Sequence, residues 1–214
     1  MTARAAEVMV PPAPRRLART VGLAALAALG VAASAVAFGA LRPAGEATPQ
    51  PARLAPADAA AARAVVAQAR QLVAVTPAEL GYRLRIAGPV AGLRGQTDNA
   101  ARTITLFVGP RDATYVVAHD LAHELGHAYD ATRMSAGQRA AYLRARGVPG
   151  APWAPGAGAS DYRSGAGDFA EVFALCQAAS SVYRSRLAPR PQDPCAVLPK
   201  SARDANLGDV GGSR

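Results

Sequence analysis

The run His123-Glu124-Leu125-Gly126-His127 sets two imidazoles and a carboxylate at the spacing that metal-assisted hydrolysis requires. On a helix, positions i and i+4 stand one above the other on one face, so His123 and His127 can grip one ion. Glu124 points to the neighbouring side, where it can take a proton from an activated water. With three His and five Glu in 214 residues, this pattern arises by chance in roughly one chain in a thousand. The plain alternative is a surface helix carrying two solvated imidazoles. His119 forms a second H-x-x-x-H with His123, with Asp120 in the base position. His119 and His127 are about 12 Å apart along a helix, too far to share one ion. His119 is therefore read as a core residue or a support behind the ligands.

A hydrolytic zinc takes three protein ligands and leaves a position for water. The metzincin extension is ruled out, since Asp130 and Arg133 stand where its Gly and its last His should be. No His follows His127, and the only later Glu is Glu171, in Asp168-Phe169-Ala170-Glu171-Val172-Phe173-Ala174. Glu171 is the first candidate, Asp168 and Asp161 remain open beside it, and a carboxylate that merely starts a helix is the bland reading.

The string H-E-L-G-H-A-Y-D, with Glu171 in D-F-A-E-V-F-A 44 residues after His127, resembles the catalytic domain of anthrax lethal factor and of the related Pro-Pro endopeptidases. The resemblance covers roughly residues 102–180. It implies a zinc endopeptidase of the gluzincin type, with His123, His127 and Glu171 holding Zn²⁺ and Glu124 as general base. The family also uses a Tyr a few residues before the ligand Glu to stabilise the oxyanion. Ser164 stands seven residues before Glu171, and the nearest Tyr is Tyr162, nine before. The fold implied is α+β and zincin-like. A small mixed sheet would accompany an active-site helix with HExxH and a second helix with Glu171. The substrate would be an extended peptide or protein. The alternatives are a non-catalytic zinc-binding envelope protein and a zinc amidase acting on cell-wall material.

The elements that must position these residues are legible in part. Asp112 to Tyr129 holds no Pro and one Gly, and Val116, Val117, Leu121, Leu125 and Ala128 recur at helical spacings. Asp112 is expected to cap that helix. Gly126 costs helix propensity, which suggests a close backbone approach there. Residues 58–75 read as an Ala-rich helix with Val65, Val66, Ala69 and Leu72 on one face. Residues 82–86 and 103–108 read as strands, the second an edge that could pair with a peptide. Ser135-Ala136-Gly137-Gln138 is a capping box for a short helix ending at Gly147. Residues 147–167, around Trp153, read as an irregular loop, lid or specificity segment.

Of the 24 basic residues only Lys200 is not Arg, and the net charge is +9. The arginines are scattered, aromatics are few and no nucleic-acid motif is present, so nucleic acid is not expected as a partner. Residues 1–20 carry four Arg against Glu7, and 21–41 are uncharged. This reads as a cytoplasmic N-terminus plus a signal peptide or single membrane anchor, placing the remainder outside a bacterial cytoplasmic membrane, anchored or secreted. A Pro/Ala-rich linker (42–56), a zinc peptidase-like domain (57–196) and a disordered tail (197–214) follow. In an oxidising compartment Cys176 and Cys195 would pair.

Overall fold

The computed structural model describes residues 51–156 and 160–206. The expected N-terminus with its signal peptide or anchor (1–41), the expected linker up to residue 50 and residues 207–214 of the expected tail lie outside the described residues. Among the described residues no helix is long and apolar enough to cross a membrane.

Helix α1 (Pro56–Arg70) has Pro at its first position, where a missing N–H costs nothing. It buries Ala62, Val66 and Ala69, whereas Leu72 lies beyond its end and is half exposed. Three short strands follow: β1 (Arg83–Ala87), β2 (Gly95–Asp98) and β3 (Thr103–Phe107). Their order is β1-β3-β2, with β1 parallel and β2 antiparallel to β3. The molecule is thus α+β with a small mixed sheet. The strand preceding the HExxH helix is not the edge. β3 is central, with Ile104 and Leu106 fully buried, and β2 occupies the edge. Its Gly-Gln-Thr-Asp sequence has no apolar alternation, so it carried no strand signal.

Helix α2 (Thr114–Arg133) carries HExxH through the middle of the fold, and from Val117 to Asp130 only His127 escapes burial. Its N-cap is Ala113, without a side-chain cap. Asp112, expected to cap, instead accepts the Gly109 N–H at 2.9 Å and pairs with Arg94. Helix α3 (Ala136–Ala145) opens on the expected capping box, with Ser135 and Gln138 bonding each other's backbone N–H. Helix α4 (Gly165–Gln177) starts at Ser164, whose hydroxyl accepts the Gly167 N–H. It packs on α2 at Gly126: a Cβ there would stand 2.7 Å from Ala170 Cα. The backbone approach that Gly126 suggested is this helix crossing.

The described part of the 147–167 stretch is pinned around its Trp. Trp153 donates to Asp130 Oδ2 at 2.9 Å and its ring meets Tyr142 and Phe169. Cys176 and Cys195 form a disulfide between the end of α4 and the following segment. The tail does not begin to disorder at 197. Leu198 and Ala202 are buried, and helix α5 (Lys200–Arg203) is fixed by the Gln177 amide donating to the Ala202 carbonyl at 2.7 Å. The disulfide already tethers Cys195 beside α4, which lowers the entropy cost of docking the residues after it.

Candidate metal centre

Three elements meet at a cleft of about 570 Å³. Helix α2 supplies His123, Glu124 and His127; the turn before α4 supplies Asp161 and Tyr162; the edge strand β2 supplies Gly95, Gln96 and Thr97. Their ligating atoms converge. His123 Nε2 and His127 Nε2 lie 3.1 Å apart, and each lies 3.2 Å from Asp161 Oδ2. Two imidazole nitrogens and a carboxylate oxygen bound tetrahedrally to one ion at about 2.1 Å would be spaced by about 3.4 Å. The trio fits that geometry closely.

A second, wholly buried group, His119, His123 and Glu171, could also hold a metal ion. Glu171 Oε1 lies 2.8 Å from His123 Nδ1 and 3.2 Å from His119 Nε2, and Oε2 accepts the Arg184 backbone N–H. Neither His119 nor Glu171 reaches the cleft. Glu171 therefore meets His123 on the far side of its ring from His127. Once the imidazole is neutral, a carboxylate there keeps its proton on Nδ1 and leaves the Nε2 lone pair facing the cleft, the tautomer a metal needs. Of the expected trio, the structure brings His123 and His127 together and puts Asp161, not Glu171, beside both. Asp168 is elsewhere: its two oxygens accept from Tyr142, Arg146, Tyr183 and Ser185.

Local sequence explains why Asp161 arrives there. Asp161–Arg163 form a single 3₁₀ turn, and the Asp161 carbonyl accepts both the backbone N–H and the hydroxyl of Ser164. That carbonyl lies over Gly167, where a Cβ would stand 2.1 Å from it. No side chain but hydrogen is compatible with this turn folding back on the start of α4.

Glu124 is buried beside the two imidazoles. Thr97 of β2 places its hydroxyl 2.7 Å from Glu124 Oε2, where it donates to the carboxylate. Gly95 gives the carboxylate room, since a Cβ there would stand 2.6 Å from Oε1. Tyr162 lines the same cleft, its ring edge-on to His123 with centroids 5.5 Å apart. Thr97 and Gly95 were beyond sequence reasoning, because they lie on the strand that showed no pattern.

The electrostatics favour a positive centre. Burial alone would lower the His123 pKa, but hydrogen bonds to Asp161 and Glu171 push it up to about 10. Burial would raise Glu171; the His119 and His123 imidazoles instead bring it down to about 2. Asp161 is held well below the usual carboxylate range, its burial outweighed by His123 and His127. In the absence of metal this demand is met by a proton on imidazole; a divalent cation meets it with more charge. Tyr162 is raised by burial, with Arg184 opposing the shift.

No family model, curated protein or solved structure matches the chain; the site's chemistry is carried by its own geometry.

Proposed function

We propose that this protein is a zinc-dependent endopeptidase in which His123, His127 and Asp161 hold the ion. The observation that carries this reading is the convergence of two Nε2 atoms and one carboxylate oxygen, 3.1–3.2 Å apart, on an open cleft beside Glu124. Two imidazoles and one carboxylate are a common catalytic zinc set. The lethal-factor-like resemblance implies Glu171 as third ligand; here the geometry favours Asp161, with Glu171 orienting His123 from behind. When bound, zinc would polarise the scissile carbonyl and acidify the attacking water.

The chain's residues supply the rest. Glu124, with one oxygen held by Thr97, takes the proton of the attacking water and later delivers it to the leaving amine. Tyr162, on the cleft wall, donates its hydroxyl to the oxyanion that develops on the carbonyl. An extended peptide can add to the free edge of β2, which runs along the cleft. The disulfide supports a site of action outside the cytoplasm, where such bonds persist.

Metal analysis of the purified full-length chain tests the assignment. Wild type should hold about one zinc, and Asp161→Ala should lower affinity more than Glu171→Gln, which acts only through His123. Stoichiometric, undiminished zinc in Asp161→Ala with loss in Glu171→Gln would return the ligand role to Glu171.

A further inference from the structure

Further along the cleft stand two arginines that hydrolysis does not use. Arg94 precedes β2, and Arg184 lies in the segment closed by the disulfide; both line the cleft. They converge on one carboxylate. Arg94 Nε meets Asp120 Oδ2 at 2.9 Å and Arg184 Nη1 meets Oδ1 at 2.7 Å. Asp120 is buried, with 3% of its side chain exposed, while the Arg94 and Arg184 side chains keep 35% and 29% exposure. Neutralising Asp120 would need only one guanidinium, since a single Arg can serve both carboxylate oxygens with a parallel pair of N–H groups. Here each arginine spends one N–H on Asp120. Arg94 turns Nη1 to Asp112, and Arg184 pairs with no other carboxylate among the described residues. The buried Asp120 thus acts as a shared post that holds two guanidinium groups side by side with donors left over.

Their position relative to the reacting centre is fixed by α2. Asp120 is four residues before Glu124, about 6 Å of helix rise, and an extended peptide covers that distance in about two residues. Arg94 directly precedes Gly95, which packs on Glu124, and Arg184 lines the same cleft as Tyr162. We propose that Arg94 and Arg184 form a carboxylate-binding subsite. It selects peptides that carry a carboxylate within about two residues of the scissile bond, as an acidic side chain or as the free C-terminus. This rests on the peptidase reading above.

Binding tests it without turnover. Zinc-loaded full-length Glu124→Gln is titrated calorimetrically with an uncharged, end-blocked octapeptide, with the same peptide carrying Asp at successive positions, and with the unblocked C-terminus. Carboxylate peptides should bind at least about 10-fold tighter than the neutral one, an ordinary margin for a charge-assisted pair; the Asp and C-terminal arms show which source is preferred. Adding Arg94→Gln or Arg184→Gln should cut that ratio to about 3-fold or less and leave the neutral peptide's affinity unchanged. Each variant keeps one arginine on Asp120, and an unchanged melting temperature confirms folding. Equal affinity for acidic and neutral peptides, discrimination that survives both substitutions, or no binding of any peptide would overturn the subsite. Failure of the peptidase reading shows separately, as zinc-loaded wild type that binds carboxylate peptides but cleaves none.

Discussion

Replacing Gly126 by Ala adds one methyl group at the crossing of α2 and α4. That methyl would stand 2.7 Å from Ala170 Cα and 3.2 Å from the Cβ atoms of Ala170 and Phe173. Carbon pairs are comfortable at about 3.5–4.0 Å, and the nearest atom is backbone, so the helices must part by about 1 Å. Overpacking of this kind costs about 1–3 kcal/mol. Ala recovers about 1 kcal/mol of helix propensity, leaving a net loss of up to about 2 kcal/mol. For a domain near 150 residues this lowers Tm by up to about 8 °C. The same displacement stretches the 2.8 Å contact between Glu171 and His123 Nδ1, because Glu171 adjoins Ala170. Loss of that support should weaken zinc binding by about 10–100-fold. Circular dichroism melts and a chelator competition titration read the two effects. A Gly126→Ala protein that melts at or above wild type, with unchanged zinc affinity, would refute the tight crossing and the orienting role of Glu171 together.

Asp168→Ala should be among the most damaging single changes, costing about 3–5 kcal/mol, because it strands the Arg146 guanidinium that Asp168 pairs at 2.8 Å; denaturant unfolding should show it, and a loss under about 1 kcal/mol would contradict the burial. Metal-free protein should also have a characteristic pH profile. His123 is raised from 6.5 to about 10, so its contribution is complete below pH 6.5 and is lost as pH climbs towards 10. Glu171 is lowered from 4.5 to about 2, so its contribution is complete above pH 4.5 and is lost as pH falls towards 2. The melting temperature should therefore be highest between about pH 4.5 and 6.5 and fall above it, and zinc, which needs neutral imidazoles, should reverse the decline. A calorimetric profile that stays flat to pH 9 without metal would speak against the coupling.

What the sequence revealed and what it concealed divide along a physical line. His123, Glu124 and His127 were legible because helical periodicity alone sets their relation, and Gly126 gave away a helix crossing. The capping box at Ser135 and the pairing of Cys176 with Cys195 were legible for the same reason: local chemistry or a single partner decides them. The proposed third ligand was ambiguous because Asp161 comes from a distant turn. Glu171 sits in the stronger motif, yet it faces Nδ1, whereas Asp161 reaches Nε2 through a turn made possible by Gly167. Arg94, Gly95 and Thr97 were concealed because β2 is a four-residue edge strand with no apolar period. Arg184 was concealed because a disulfide-closed segment without regular structure delivers it.

Hydrolysis by the full-length zinc-loaded protein, compared with Glu124→Gln on one broad peptide library, tests the central claim most directly. Wild type should cleave internal peptide bonds, while the Gln variant, with equal zinc content, should be slower by at least about 10²-fold. A wild type that holds zinc and cleaves nothing, or a Gln variant that cleaves as fast, would contradict the assignment of this cleft to hydrolysis.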